Sequence, residues 1–103
     1  MLEHVNENNF EQFLKNNKTV LIDFSATWCG PCKMFSPILE KYAADHPEIK
    51  IAKVDVDESP NLAGKFRVRG VPTVCVFDNE EMVGTRSGLM SYAQLDSYLN
   101  NLI

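Results

Sequence analysis

The run Val20-Leu21-Ile22-Asp23-Phe24 constrains the fold more than any other segment of this chain. A strand turns successive side chains to opposite faces. This run is apolar in both phases except at Asp23, so it belongs in the middle of a sheet covered on both sides. Such a strand needs helices above and below it, and the rest of the sequence supplies them. Asn8-Asn9-Phe10-Glu11 is a capping-box-like helix start, and Phe10, Phe13 and Leu14 follow at helical spacing. Met34, Phe35, Ile38, Leu39 and Tyr42 form the inner stripe of a second helix that reads from Lys33 onward. Pro37 bends that helix and Pro47 marks its end.

A second strand runs from Ile49 to Val56. Ser59 and Pro60 open a short helix to about Phe66, with Ser59 as its cap. Gly70-Val71-Pro72 leads into a third strand, Thr73 to Phe77. The turn Asp78-Asn79-Glu80-Glu81 folds it back on a fourth, Met82 to Ser87. Ser91 and Gln94 cap a last helix that faces Leu95, Tyr98, Leu99 and Leu102 inward, with Met90 stapled to Leu95. There is room for a short strand at Leu2 to Val5. Two strands joined by a helix form a right-handed parallel unit, whereas the terminal hairpin is antiparallel. The fold class is therefore α/β: a central mixed β-sheet flanked by helices on both faces.

With 103 residues, a single domain spanning 1–103 is expected. The net charge of −4 argues against nucleic acid as a partner, because phosphate binding needs a basic surface. No apolar run reaches the length of a membrane span. Met1-Leu2-Glu3-His4-Val5-Asn6 lacks a basic segment followed by an apolar one, so no leader is visible and a cytoplasmic monomer is expected. An exported mature form would look the same.

The chemistry concentrates in Trp28-Cys29-Gly30-Pro31-Cys32, directly after the central strand. Cysteines at i and i+3 in a first helical turn share one face and can close a small ring. The helix start favours thiolate over thiol at the first of them. A thiolate with a second thiol beside it is suited to disulfide exchange. Zinc is the other reading of C-x-x-C. It asks for about four ligands, and beyond this pair the chain offers only Cys75, His4 and His46, with no second pair at zinc spacing. Both histidines read as surface residues. Cys75, in a strand apolar in both phases, reads as a small buried hydrophobe.

Over essentially its whole length the chain resembles the thioredoxin family. The resemblance rests on Phe24 to Lys33 with its W-C-G-P-C core, on Asp23, Pro37 and Lys53, on Val71-Pro72-Thr73, and on Gly88. It implies a protein-disulfide reductase with no bound cofactor beyond a redox-active Cys29–Cys32 disulfide. A flavoprotein thioredoxin reductase and disulfide-containing target proteins would be its partners. The pair Gly30-Pro31 is the reductive version of the motif; isomerase-like, DsbA-like and glutaredoxin-like relatives carry other pairs.

On this reading Cys29 is the nucleophile, and Cys32, one turn in and more buried, is the resolving thiol. Asp23, a carboxylate in an apolar strand, should have a raised pKa and could exchange a proton with Cys32. Lys53 is its charge partner if the strands are adjacent. Trp28 offers a flat apolar contact surface. The resemblance makes the Val71–Pro72 bond cis, leaving Val71 backbone groups free for an extended substrate, with Gly30, Pro31 and Gly88 completing a shallow groove. Lys33, Lys65 and Arg69 could ring the site, or simply be solvated charges. The chain departs from the family at Asn79-Glu80, where many members have Asn-Gly and where Glu leaves the turn type open, and at Cys75, where many have an aliphatic residue. The competing functions are a scaffold of the same fold, and an oxidant or isomerase in an exported compartment.

Overall fold

The structure is a computed structural model describing residues 2–103; Met1, the first residue of the expected domain and of the segment read for a leader, lies outside the described residues. The elements follow in the order β1 (Glu3–His4), α1 (Phe10–Asn16), β2 (Thr19–Ser25), α2 (Gly30–Asp45), β3 (Ile49–Asp55), α3 (Pro60–Lys65), β4 (Thr73–Asp78), β5 (Glu81–Ser87) and α4 (Tyr92–Leu102). They build a five-stranded sheet of order β1-β3-β2-β4-β5. As its two-sided pattern requires, β2 is central. It runs parallel to β3, with Leu21 opposite Ile51, and antiparallel to β4, with Leu21 opposite Val76. β1 adds to β3 in parallel, and β5 adds to β4 as an antiparallel edge.

Side-chain alternation on β2 divides the interior in two. Leu21 joins Ile51, Val74 and Val76 against Phe35 and Leu39 of α2 and Leu95 and Leu99 of α4. Val20, Ile22 and Phe24 join Val54, Cys75 and Phe77 against Phe10 and Leu14 of α1 and Leu62 of α3. Val20 through Phe24 are fully buried. At roughly 25 cal/mol per Å² of apolar surface removed from water, the apolar side chains among them contribute about 1.5–3 kcal/mol each. Gly84 of β5 allows α4 to close on the sheet, since a Cβ there would stand 2.5 Å from Leu102 Cδ1 and 2.8 Å from the Tyr98 hydroxyl. No helix among the described residues is long and apolar enough to cross a membrane.

Helix ends differ from expectation in instructive ways. α2 starts at Gly30 rather than Lys33, because the Cys29 sulfur caps it and Pro31, with no N–H to lose, fits its first turn. It then runs unbroken through Pro37 to Asp45. α1 has no capping box. Its N-cap is Asn9, whose side-chain oxygen accepts the Asn6 N–H at 2.8 Å, outside the helix. Ser59 is the N-cap of α3, yet its hydroxyl is buried without a hydrogen-bond partner among the described residues. The Glu7 carboxylate caps that helix from a distance, accepting the Asn61 N–H at 2.7 Å and the Leu62 N–H at 3.3 Å. The α4 capping box forms as expected: Gln94 N–H donates to Ser91 Oγ at 3.2 Å and Ser91 N–H to Gln94 Oε1 at 2.9 Å. Met90 and Leu95 are both fully buried in one cluster.

Two non-glycine sites take backbone conformations that glycine usually fills. α3 ends in a Schellman motif, with Val68 N–H bonded to Ala63 O at 2.8 Å and Arg67 N–H to Gly64 O at 3.2 Å, and Arg67 sits at φ 56°. The hairpin loop resolves as Asn79-Glu80 with φ 50° and 70°, both left-handed as a type I′ turn requires. Asp78 pairs with Glu81, and the Asn79 N–H donates to Lys18 O at 2.9 Å, so the loop is held at both ends. A side chain in that region costs about 1–2 kcal/mol, partly offset by the extra unfolded-state freedom of glycine. Glu80→Gly should therefore raise stability by about 0.5–1 kcal/mol, seen as a higher urea midpoint at unchanged slope; a lower midpoint would contradict this account.

Cys75 is the free cysteine, fully buried in the core facing α1 and α3. Burial pushes its thiol pKa up, slightly countered by Thr85, whose hydroxyl oxygen lies 3.6 Å from the sulfur. A protonated, inaccessible thiol does not react. With Cys29 and Cys32 paired, native protein should take up essentially no iodoacetamide until denaturant is added; rapid native labelling of Cys75 would contradict its placement in the core.

Candidate functional site

β2 carries the chain out of the sheet at Ser25, and Ala26 to Trp28 lead into α2. The two thiols therefore stand where the central strand ends and the helix begins. Cys29 and Cys32 are joined as a disulfide with their Cα atoms 5.3 Å apart. Both are buried, Cys29 at 4% exposed and Cys32 at 1%. The Cys29 sulfur accepts the Cys32 backbone N–H at 3.2 Å, one of the free donors of the helix start. That donor and the helix dipole both favour negative charge on this sulfur once the disulfide opens.

The loop before β4 faces the disulfide. The Val71–Pro72 peptide is cis, as the resemblance implies, and the Val71 carbonyl oxygen lies 3.7 Å from the Cys29 sulfur. Gly88, at φ 101°, donates its N–H to Pro72 O at 2.8 Å, which seats the end of β5 beside the proline. Trp28 is 69% exposed, and its indole N–H donates to Asp57 Oδ2 at 2.9 Å, so the ring is both presented and fixed. Beside it a hollow of about 140 Å³ is lined by Trp28, Val56, Val68, Arg69, Gly70 and Val71. Gly30 and Pro31 are exposed on the other side. The structure thus brings Trp28, Cys29, Gly30, Pro31, Val71, Pro72 and Gly88 to one end of the sheet. Lys33 and Arg69 border this region; Lys65 instead stands 5.5 Å over the Phe66 ring, in a groove with Phe10 and Glu80.

Behind the disulfide the site is polar. Asp23 shares the β2 face of Leu21, the face covered by α2, and Cys32, Phe35 and Leu39 lie on the buried stripe of that helix. Its carboxylate is fully buried, and neither oxygen has a hydrogen-bond partner among the described residues. Desolvation raises its pKa from the usual carboxylate range to about 7, with the positive charge of Lys53 acting in the opposite sense. Lys53 stands directly opposite Asp23 in the sheet register. Its ammonium makes no hydrogen bond to the carboxylate and acts on it as a charge partner through space. It donates to the Ser36 hydroxyl, which in turn donates to the Cys32 carbonyl oxygen at 3.2 Å. Cys32, Ser36 and Lys53 line a cleft of about 430 Å³ behind the motif.

The zinc alternative finds no constellation: among the described residues no group of three or more histidine, cysteine, aspartate or glutamate side chains is placed to hold a metal ion. Cys75 is in the opposite core and His4 is exposed on β1. His46, expected at the surface, is half-buried at the C-cap of α2, its ring stacked 4.1 Å from that of Tyr42.

Residues 1–101 match the family model for Thioredoxin. The chain belongs to the thioredoxin family. It is 43% identical over 93 residues to a thioredoxin of Buchnera aphidicola subsp. Baizongia pistaciae, covering 88% of this chain and 85% of the relative. To a thioredoxin of Acidithiobacillus ferridurans it is 41% identical, covering 95% and 93%. Among solved structures, a mutant thioredoxin from Halobacterium salinarum superposes with TM-score 0.89 at 36% identity, covering 98% of this chain and 88% of that one. The oxidized form of mitochondrial thioredoxin 3 from Saccharomyces cerevisiae gives 0.89 at 34% identity, covering 98% and 95%. As a thioredoxin-family protein with its dithiol intact, the chain is a thiol-disulfide oxidoreductase that reduces disulfide-containing proteins. Its redox group is its own Cys29–Cys32 disulfide.

Two residues of this region, Ser36 and Asp57, and Glu7, which caps the start of α3, were not singled out from the sequence. Ser36 could have been found by its i+4 spacing from Cys32 on a helix. Asp57 and Glu7 act across long sequence separations that no local pattern reports.

Burial of Asp23 makes a stability prediction whose sign is fixed. A folded pKa above the unfolded one means the unfolded state ionises first as pH rises. The neutral carboxyl is tolerated at acid pH, and stability falls as pH climbs from about 4 to about 7, then levels. The size of that fall is about 4 kcal/mol, at about 1.36 kcal/mol per pKa unit. Asp23→Asn should remove this decline and, at pH 8, exceed the wild type by about 1–3 kcal/mol, since a buried amide still lacks partners. Urea melts between pH 4 and 8 check it. Parallel profiles for the two proteins would mean that Asp23 is solvated.

Proposed function

We propose that Cys29 is the attacking thiol, Cys32 the resolving thiol and Asp23 the proton acceptor for Cys32. The observation that carries this is the Cys29 sulfur at the helix start, hydrogen-bonded by the Cys32 N–H, with Cys32 more deeply buried behind it. In the reduced protein the Cys29 thiolate attacks one sulfur of a target disulfide. A Cys29–target bond forms, the target S–S bond breaks, and the released target sulfur leaves as thiolate and takes up a proton. Cys32 then loses its proton to the Asp23 carboxylate and attacks the Cys29 sulfur. The Cys29–Cys32 bond forms, the mixed disulfide breaks, and the second target thiolate departs. The target is reduced by two electrons and this protein is oxidised by two.

Recognition in this reading is through main chain and apolar contact. Among the described residues the Val71 N–H donates no hydrogen bond, so an extended target segment could pair with Val71 as an added strand. Trp28, Gly30, Pro31, Pro72 and Gly88 form the walls. Lys53 tunes the charge around Asp23. The cycle is restored by a flavoprotein thioredoxin reductase. The protein acts as a single-domain monomer in the cytoplasm, where thiols are kept reduced.

Insulin reduction with dithiothreitol separates this reading from a scaffold of the same fold, which would not speed the reaction. Cys29→Ser should abolish reduction. Cys32→Ser should still attack but stall as a mixed disulfide isolable from the reaction, with turnover reduced at least a hundredfold, on the order of the loss expected when a positioned reacting group is removed. Wild-type turnover in Cys32→Ser would remove the resolving role.

A further inference from the structure

Ser36 links parts of the site that the reaction uses separately. Its hydroxyl donates to the Cys32 carbonyl oxygen one helical turn back, at 3.2 Å, which leaves its oxygen free to accept from the Lys53 ammonium. Lys53 sits on β3 directly across from Asp23 on β2. A lysine has a flexible stem and a mobile point charge, and a buried carboxylate with no partner strongly attracts such a charge. Yet both Asp23 oxygens are without a hydrogen-bond partner among the described residues. The ammonium is instead engaged in the cleft, on the wall formed by Cys32 and Ser36.

We propose that Ser36 is a positioning residue: its hydroxyl anchors the Lys53 ammonium to the first turns of α2 and so keeps it from closing onto the Asp23 carboxylate. The functional consequence rests on the reading above, in which Asp23 receives the Cys32 proton. A contact ion pair would favour ionised Asp23 and make it a weak base, whereas an acceptor works best with a pKa near the working pH. With the ammonium held aside, the desolvated carboxyl keeps its raised proton affinity. The neighbours of Asp23 leave this control to few groups. α2 contributes Cys32 and Ser36, with Tyr42 farther along its buried stripe; β3 contributes Lys53 and β4 presents Val74; α4 brings Leu95 and Leu99 to the same cluster, with Tyr92, Tyr98 and Leu102 packed against it. The charged and titratable groups farther along the cleft are His4, Lys33 and Asp55.

The test is the titration of the Asp23 carboxyl carbon by NMR in reduced protein, alongside the pH profile of single-turnover mixed-disulfide resolution. Ser36→Ala, which favours the helix and removes the anchor, should lower the Asp23 midpoint by about one pH unit, the low end for an opposite charge brought into contact. The acid limb of the resolution profile should move down with it. Ser36→Thr, which restores the hydroxyl, should return both to wild type. In a Lys53→Gln background Ser36→Ala should have no further effect on the midpoint. An unmoved midpoint in Ser36→Ala, an equal shift in Ser36→Thr, or a shift that persists without Lys53 would each overturn the proposal. Asp23→Asn tests the underlying reading separately. An unchanged resolution profile in that variant would remove the base role of Asp23, while the titrations would still decide whether Ser36 holds Lys53.

Discussion

A strand with no solvent-facing side is the constraint from which the rest of this molecule follows. β2 is hydrogen-bonded to β3 and β4 and covered by helices on both faces. Nothing about its position can shift without exposing one apolar phase or the other. Its carboxyl end therefore points to a fixed place, and that is where the chain leaves the sheet, turns at Trp28 and starts α2 with the dithiol. The same burial gives Asp23 its unusual proton affinity. One structural fact supplies both the placement of the thiols and the chemistry beside them, at a cost in stability that only the surrounding core can offset.

The two sulfurs differ because a helix start is asymmetric. Cys29 is the cap and meets a backbone donor; Cys32, three residues on, already faces inward on the stripe that continues through Phe35, Leu39 and Tyr42. A local rule of helix ends thus becomes a division of labour between chemically identical groups. The fold needs no metal or organic cofactor for this exchange, only two sulfurs held at the right separation and unequal access to solvent.

How much was legible in the sequence depended on the range of the interaction. The order of elements, the buried β2, the α4 capping box and the placement of the dithiol all follow from periodicity or from neighbours within four residues. The paired sides of the sheet follow from topology rules. The misses lie elsewhere. The capping box expected from Asn8 and Glu11 did not form: the N-cap is Asn9, whose side-chain oxygen accepts the Asn6 N–H, because short amide side chains have several backbone groups within reach. The α3 cap came from Glu7, more than fifty residues away, and Ser59 was left without its expected bond. Glu80 took a left-handed conformation that its side chain disfavours because β4 and β5 fix both ends of a two-residue loop. Lys53 was placed correctly on β3 beside Asp23 and acts on it as a charge, but its hydrogen bond to Ser36 was not foreseen. Register can be read from a pattern, whereas the direction of a flexible side chain is decided by a hydroxyl on another element.

The mouth of the site and its back have opposite characters, and the contrast bears on what the protein can discriminate. At the mouth are main-chain groups of Val71, the ring of Trp28 and the surfaces of Gly30, Pro31 and Gly88; little there reads side-chain identity. In the proposed reading, backbone pairing and a flat apolar contact select an extended segment with an accessible disulfide rather than a particular sequence. At the back, Lys53, Ser36 and Asp23 never need to meet the target. In the proposed reading they act through Cys32, and would tune the rate of its deprotonation without narrowing the range of proteins admitted. That reading assigns specificity and proton control to different elements, the β4 approach and the β2–β3 pair, so that each could change without disturbing the other. A residue serving both tasks would tie the speed of the chemistry to the shape of one partner.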